Sequence, residues 1–463
     1  MLKILEKAFL VFALLYFSQG LTLVLQPDDL PQSDEPPANI SQAMLRSANK
    51  NEGADPTKKN VVKLAVEVGI YLITATLILF QLREFLHLFF QHKWLWSLLA
   101  LAFFSTLWSD DPKFTVKRGL VLIASTCFGV YLGQRYTLRE ILRLLYIVGV
   151  IAAVASLIVV WRLPDLGTSS GGANVGDWRG IFGQKNALGR FMALEILVFG
   201  VGLVAEKGVW RWFCVLGSVL CLPLLIMAKA ATAYLALPML LVLLVLFQLA
   251  RRHSLLKMVA LLSTLSATIA GVVFVIIIEP KKLLMMMGKD TTLSGRTEIW
   301  SMVWQKFLQR PWLGYGYSAF WMGPDGKESA GIQEALHWAV PHSHNGFLDL
   351  LVQVGVVGLA LFLVGYVFYF REALRCARAS KTILGLFPLL YLAFMVLFNC
   401  SEGTIIRDES IFWVMYATIW VLTTRWLDLA EAAAGRTAMA VPTRKTVVPK
   451  AVPVWRFGST SGY

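Results

Sequence analysis

Apolar runs of about 20 residues recur along most of this chain, and short connections rich in arginine and lysine separate them. A helix of that length crosses the hydrocarbon core of a bilayer. The composition agrees, because 57% of the residues are hydrophobic and 16% are charged, whereas roughly 25% are charged in a typical soluble domain. The sequence therefore predicts an all-α integral membrane protein.

The length criterion predicts about twelve transmembrane helices. The first run follows Lys3 and Lys7, a charge pattern that signal peptides share, but it has no clear small-residue cleavage site. We interpret it as an uncleaved helix. The predicted spans are 8–26, 61–82, 94–109, 119–134, 141–163, 186–205, 209–228, 231–250, 258–278, 347–370, 382–400 and 410–426.

Positive charges predict the orientation of these helices, because arginine and lysine concentrate in cytoplasmic connections. If the spans alternate and both termini are cytoplasmic, all the basic connections fall on one side. These connections contain Arg83 and Lys93; Arg135, Arg139 and Arg143; Lys207 and Arg211; Arg251, Arg252 and Lys257; Arg371, Arg375, Arg378 and Lys381. The positions of these charges account for the net charge of +14 and indicate a multi-pass membrane protein, so we expect no nucleic-acid partner. The bacterial inner membrane is an expectation that follows from the family resemblance described below.

The same alternation divides the chain into successive parts. They are helices one to nine with outer loops 27–60 and 164–185 (residues 1–278), a large outer loop (279–346), helices ten to twelve (347–426) and a basic cytoplasmic tail (427–463). The large outer loop is too long for a passive link and is rich in Trp, Tyr and Gly. Long connections of this kind usually carry function, so we expect a small folded cap on the periplasmic face.

The segment "HSHNGFL" places His344 and Asn345 directly before an apolar helix. A histidine held at the end of a packed helix can serve as a general base near neutral pH. The alternative is an ordinary interfacial histidine. His337 and His342 share the connection, but no Cys and no closely spaced carboxylate accompanies them. Zinc sites need three or four converging ligands, so we predict neither a metal nor a cofactor.

Several cations are predicted on the same outer face. In "DWRGIFGQKNALGR", Arg179 and Lys185 precede a helix whose positive end attracts anions. Arg296 in "SGRTEIW" lies in the first turn of an amphipathic helix, where a cation is unfavourable unless an anion or Glu298 accompanies it. Arg118 is a third candidate, with interfacial snorkelling as the alternative.

The segment "QRPWLGYGYSAFW" places glycines between aromatic residues. Tyr317, with Trp312, Tyr315 and Trp321, could offer flat faces to sugar rings. A tight turn that packs the cap is the alternative.

These candidate residues together suit one type of reaction. They place a base, several cations and aromatic rings at one end of a helical bundle. Such a site suits transfer from a lipid that carries a pyrophosphate, because guanidinium groups bind phosphate oxygens and pyrophosphate leaves readily.

The sequence resembles the superfamily of O-antigen ligases and polysaccharide polymerases. The superfamily signature is His, then Asn, Ser or Gln, nine residues, and Gly-x-x-Gly, and His344, Asn345, Gly355 and Gly358 match it. The blocks "SGRTEIW", "PWLGYGY" and "RGIFGQKNALG" stand in family order, and the resemblance covers roughly residues 90–425.

The resemblance implies a metal-independent, inverting glycosyltransferase of the GT-C type. His344 would activate the acceptor hydroxyl, Arg179 and Arg296 would hold the donor pyrophosphate, and Lys229 is an uncertain substrate contact because "MAKAATAY" departs from a Ser-rich pattern. The implied partners are an undecaprenyl-pyrophosphate-linked glycan, a glycan or lipid acceptor, membrane lipids, a flippase and a chain-length regulator.

Three functions stay open at this point. "RGIFGQKNALGRFMAL" and "NCSEGTIIRDESIFWV" look more like exopolysaccharide polymerases, so polymerisation is our first prediction. A ligase that transfers the glycan to lipid A-core would use the same base and the same phosphate-binding cations. A transporter or flippase would need ionisable residues in the middle of the spans, and the spans contain few of them.

Overall fold

The computed structural model describes residues 2–25, 56–169, 175–250, 296–322, 328–336 and 340–439. Secondary structure in these ranges is helical apart from an isolated β-bridge between Thr168 and Trp178. The longer helices are α1 (Leu2–Phe17), α2 (Pro56–Leu79), α3 (Leu82–Gln91), α4 (Lys93–Phe104), α5 (Pro112–Arg135), α6 (Leu138–Arg162), α7 (Lys185–Ala205), α8 (Val209–Ala228), α9 (Ala231–Ala250), α10 (Arg296–Gln309), α11 (Ser329–Leu336), α12 (Gly346–Ala379), α13 (Phe387–Asn399) and α14 (Ile411–Met439). Short helical turns cover Thr22–Leu25, Ser105–Leu107, Pro164–Gly167 and Ile383–Leu386.

Seven helices within the described ranges are long and apolar enough to cross a membrane. They are α2, α5, α6, α7, α8, α9 and α12. Shorter apolar helices cover Lys93–Leu107 and Ile383–Asn399. The prediction of an all-α integral membrane protein is confirmed, whereas the count of twelve stays a prediction. The predicted ninth span, His337, most of loop 27–60 and the end of the tail lie outside the described residues.

Two elements differ from the predicted pattern. Helix α1 ends at Phe17, because a turn with Gln19 in the left-handed region (φ 67°) follows it, so the first helix is shorter at its far end than predicted. The basic connection after the second span is itself a helix, α3, which buries Phe85 and Leu88 and exposes its charged face. This segment forms a helix because its apolar residues have amphipathic spacing, although its charged residues are typical of a loop.

Polar contacts gather at the two ends of the helical bundle. At one end, called the basic end here, Arg143 pairs with Glu206 at 2.8 Å, and Arg135 lies 3.3 Å from Glu6. At the opposite end, called the site end, hydrogen bonds and ion pairs join the connections 105–111, 228–232, 310–322 and 400–410. These contacts join connections that the predicted alternation places on the same side. Which side of the membrane each end faces stays a prediction.

Helix α12 is interrupted at Gly355, the first glycine of the Gly-x-x-Gly signature. Its φ of 67° and ψ of −168° lie in a region that essentially only glycine occupies. The interruption frees the N–H groups of Val356 and Val357, which donate to the carbonyls of Pro311 and Trp312. The turn that carries "PWLGYGY" is thereby docked on α12. The interruption at Gly355 therefore positions this turn, which explains why the signature requires glycine there.

Substituting alanine at Gly355 should prevent this docking. A Cβ there would lie 2.1 Å from the Trp312 carbonyl oxygen, and the backbone angles would be strained as well. We expect the variant to lose about 3 kcal/mol of stability or more, measured as a lower midpoint of thermal aggregation in detergent. Gly69→Ala in α2, where a Cβ would meet no atom within 4 Å, is the matched control and should leave the midpoint unchanged.

Candidate active site

The segment 340–345 is held in a fixed conformation at the start of α12. Asp349 on the first turn of the helix accepts hydrogen bonds from the Ser343 N–H and the Trp321 indole N–H, both at 2.9 Å. Trp300 donates its indole N–H to the Ser343 carbonyl at 2.8 Å. Between these anchors His344 adopts a left-handed conformation (φ 54°). A bulky residue in this region costs about 1–3 kcal/mol, and such strain clusters at functional sites.

Asn345 caps the helix that follows. Its side-chain oxygen accepts the backbone N–H groups of Phe347 and Leu348 at 3.0 and 3.2 Å. The cap satisfies N–H groups that a helix start leaves without partners, and it fixes the direction in which the chain enters α12. These contacts are structural, and substrate binding by Asn345 stays a prediction.

Glu402 brings the separate parts of the site together. One of its carboxylate oxygens lies 3.6 Å from Nδ1 of His344 and 3.3 Å from a guanidinium nitrogen of Arg296. The other lies 3.5 Å from a guanidinium nitrogen of Arg190, which is buried in α7. Glu402 is itself 5% exposed. A histidine, a carboxylate and two arginines thus converge from four distant stretches of the chain.

The backbone around Glu402 is fixed from both sides. Asn399, fully buried at the end of α13, accepts the N–H groups of Thr404 and Ile405 through its side-chain oxygen and donates to Thr404 Oγ1 at 2.7 Å. The Glu402 carbonyl accepts the N–H of Gly346 at 3.1 Å. This second bond joins the backbone behind His344 directly to the backbone of its carboxylate partner.

The charges at the site keep Glu402 ionised. Burial by itself would raise the pKa of Glu402, but the adjacent His344 and the charge of Arg190 outweigh it and hold that pKa well below its usual value. Burial lowers the pKa of His342, and its neighbours His344 and Arg407 lower it further, so His342 is a neutral imidazole. Its Nδ1 accepts the backbone N–H of His344 at 3.1 Å.

Two buried polar atoms at the site have no hydrogen-bond partner among the described residues. They are Nε of Arg190 and Nδ1 of His344. A buried donor left unpaired costs about 1–3 kcal/mol, so native proteins rarely keep one without a reason. The Arg190 guanidinium also stacks over the Phe412 ring at 4.8 Å, which leaves its edge for polar contacts. Both atoms suit a site that acquires further contacts when substrate binds.

The predicted cations fall into two groups. Arg296 lies beside Glu402, and this carboxylate, not the neighbouring Glu298, is its ion-pair partner. Arg179 is 3% exposed and donates to the carbonyls of Asp165 and Leu166 on the connection before α7.

A second ion-pair cluster lies where that connection meets the end of α8. Lys185 lies 2.6 Å from one carboxylate oxygen of Asp177, and Lys229 lies 2.9 Å from the other. These contacts hold Asp177 between the start of α7 and the residue that follows α8. Substrate contacts of Arg179 and Lys185 stay predictions.

Arg118 and Tyr317 brace the connection that carries Glu402. Arg118 pairs with Asp408 at 2.6 Å, and Tyr317 is 1% exposed and donates its hydroxyl to the Ile406 carbonyl. Burial raises the pKa of Asp408 to about 6 despite the adjacent guanidinium. The contacts of Tyr317 agree with the packing interpretation of the aromatic segment. Trp312, in contrast, is 69% exposed.

Sequence reasoning missed Glu402 and Arg190 and gave His342 no role. Both charged residues stand in the segments "NCSEGTIIRDESIFWV" and "RGIFGQKNALGRFMAL" that were already singled out. Arg190 had a usable signal, because a cation within a predicted span is costly and is retained for function. Glu402 had no local signal, since its partners are distant in sequence.

Comparison with known proteins places these residues in a family context. Residues 216–363 match a family model described as O-antigen ligase, a range that includes Arg296, His344 and the glycine signature. The chain is 24% identical over 328 residues to the exopolysaccharide production protein ExoQ of Rhizobium meliloti (strain 1021), covering 68% of this chain and 72% of that relative.

The chain is thus similar to O-antigen ligases and to an exopolysaccharide production protein. A provisionally named polysaccharide ligase of Rickettsia prowazekii (strain Madrid E) is 29% identical over 132 residues. A second one, from Rickettsia typhi, is 28% identical over 131 residues. Each of these two matches covers 27% of this chain and 30% of the relative. Glu402 lies beyond the range that the family model matches.

Proposed function

We propose that this chain is a membrane-embedded glycosyltransferase that joins undecaprenyl-pyrophosphate-linked oligosaccharide repeats into a polysaccharide on the periplasmic face. Similarity to O-antigen ligases and to an exopolysaccharide production protein supports a glycan-processing enzyme. The observation that carries the proposal is the position of His344, with Nδ1 turned towards the buried, ionised Glu402. This arrangement leaves Nε2 for a substrate proton.

The proposed reaction is a single displacement at the anomeric carbon of the donor sugar. The acceptor hydroxyl oxygen attacks that carbon, and Nε2 of His344 takes the hydroxyl proton as the new carbon–oxygen bond forms. The bond between the anomeric carbon and the pyrophosphate oxygen breaks at the same time, and its electrons leave with the lipid pyrophosphate. The configuration is inverted, and neither a metal nor a nucleotide takes part.

Glu402 has two roles in this proposal. Its negative charge, 3.6 Å from Nδ1 of His344, favours the tautomer in which Nδ1 carries the hydrogen, and it stabilises the imidazolium that forms during proton transfer. It also neutralises Arg190 and Arg296 while no substrate is bound. A donor pyrophosphate would compete with Glu402 for these guanidiniums, and guanidiniums bind phosphate oxygens in a bidentate manner. The unpaired Nε of buried Arg190 supports this use.

A ligase that transfers the glycan to lipid A-core is the second candidate, and the two Rickettsia relatives favour it. The relative that matches over most of the chain, ExoQ, favours polysaccharide production. The same base and the same arginines serve either acceptor. We place polymerisation first because the ExoQ match extends over 68% of the chain.

A transporter needs a continuous series of polar groups across the bilayer. Buried ionisable residues in the described spans include Glu67 in α2 and Arg190 and Glu195 in α7. Arg190 pairs with Glu402 at the site end, and both oxygens of Glu195 lack a hydrogen-bond partner among the described residues. Residues with such different surroundings do not form a continuous path, so we do not favour transport.

The size of the lipid-linked glycans in cells that lack this protein tests the proposal. A missing polymerase should leave single repeats on the carrier lipid, whereas a missing ligase should leave long chains that are not attached to lipid A-core. Unchanged glycans of both kinds would contradict both assignments. Complementation with the wild-type gene should restore the polymer and exclude a polar effect on neighbouring genes.

A further inference from the structure

Three potential metal ligands converge beside the arginines of the site. One ligand atom from each of His342, His344 and Glu402 can be chosen so that all of them lie within 4.8 Å of one another. The sequence predicted no metal because no Cys and no closely spaced carboxylate accompanies His337, His342 and His344. Folding supplies the third ligand from the 400–410 connection. His342 and Glu402 are buried, and the side chain of His344 is 13% exposed.

The separation between His344 and Glu402 fits a transition-metal ion. Tetrahedral zinc with ligand bonds of about 2.1 Å places neighbouring ligand atoms about 3.4 Å apart. His344 Nδ1 and Glu402 Oε1 lie 3.6 Å apart, and no described group donates to or accepts from this Nδ1. Nδ1 of His342 already accepts a backbone N–H, so Nε2 is the nitrogen of His342 that remains for a metal.

The chemical types of the three ligands also favour a metal, because imidazole nitrogen and carboxylate oxygen both bind transition-metal ions. The opposing factor is the positive charge of Arg190 and Arg296, which compete for the same carboxylate. Two imidazoles and one carboxylate form a ligand set that divalent transition ions commonly occupy.

We propose that His342, His344 and Glu402 form an inhibitory site for a divalent transition-metal ion such as Zn²⁺, with an open fourth position. The inhibition rests on the proposed function of His344. A metal on Nδ1 occupies the nitrogen that faces Glu402, so the imidazole hydrogen must reside on Nε2. Nε2 then has no lone pair for the acceptor hydroxyl, and His344 cannot act as a base. The enzyme is therefore active without metal and is blocked by it.

Zinc binding to the purified full-length protein tests the site. The protein is prepared in detergent with an affinity tag free of histidine, is stripped with EDTA, and is titrated with Zn²⁺ against a chromophoric chelator. Wild type should bind one equivalent of Zn²⁺. His342→Gln should weaken binding about tenfold or more, because loss of a metal ligand lowers metal affinity at least as much as loss of a residue that only orients a ligand. His87→Gln, which changes an exposed histidine of α3 at the basic end, should bind like wild type.

Glycan transfer by the same samples tests the consequence. Zn²⁺ should inhibit wild type and His87→Gln at the same concentrations, and EDTA should restore the activity of both. His342→Gln, measured against its own rate without metal, should need about tenfold more Zn²⁺ for half inhibition. Equal zinc affinity of wild type and His342→Gln would overturn the site. Tight binding without inhibition would overturn the inhibitory role. If no sample transfers glycan, the proposed function fails while the binding result still decides the site.

Discussion

Replacing His344 with alanine should lower glycan transfer by about 10²–10⁴-fold, the contribution of a well-placed general base. The acceptor hydroxyl would then lose its proton acceptor, while the arginines that hold the donor remain. The left-handed backbone at residue 344 is strained for any side chain with a Cβ, so alanine introduces no new strain there. Transfer is measured with a lipid-linked oligosaccharide in detergent, and product length is read on a gel.

His87→Ala is the matched control for this variant. His87 is exposed on α3 at the basic end, away from Glu402 and the arginines. It should transfer at the wild-type rate. Gel filtration should show His344→Ala as a folded species in wild-type yield. Near-normal polymer from the folded His344→Ala protein would remove the base assignment.

Replacing Glu402 with glutamine should lower transfer by about 10²–10³-fold, because the residue that orients a catalytic histidine affects the rate almost as strongly as the histidine does. Glutamine keeps the size of the side chain but cannot stabilise an imidazolium. It also leaves the buried Arg190 without its carboxylate partner. Glu206→Gln, a buried ion-paired glutamate at the basic end, is the control and should retain most activity.

The pH dependence of stability tests whether Glu402 is ionised in the folded protein. In the wild-type protein the pKa of Glu402 is depressed from 4.5, so its stabilising contribution is present above about pH 4.5 and is lost as the pH falls further. The glutamine variant should lack this contribution, which is measured as a smaller difference between the thermal midpoints at neutral and at acid pH. An equal difference in wild type and the glutamine variant would contradict the ionised state of Glu402.

Local chemistry made part of this site predictable. His344 stands before a helix that Asn345 caps, and Arg296 lies where a helix dipole disfavours a cation, so each could be singled out from its neighbours in sequence. The long apolar runs predicted the helices in the same way, because apolar runs of this length usually form membrane-spanning helices. Features of the site that depend on adjacent residues could therefore be predicted from the sequence.

Features that depend on contacts between distant residues could not be predicted from the sequence. Glu402 gains its role from Arg190, Arg296 and His344, which come from other parts of the chain. Arg118 was a plausible anion ligand by residue type, yet the structure gives it a partner in Asp408. No spacing rule connects such pairs. One sequence without its fold shows which charges exist but not which charges meet.

The bond between the Gly346 N–H and the Glu402 carbonyl involves main-chain atoms alone. The spacing of the two main chains behind His344 and Glu402 is therefore set without any particular side chain at either end of this bond. Trp300 and Trp321 hold the same segment through their indole N–H groups, so substitutions there should disturb His344 more than substitutions at an exposed position such as Trp312. Exposed positions of the 296–322 segment can thus vary among relatives while His344 and Glu402 keep their spacing.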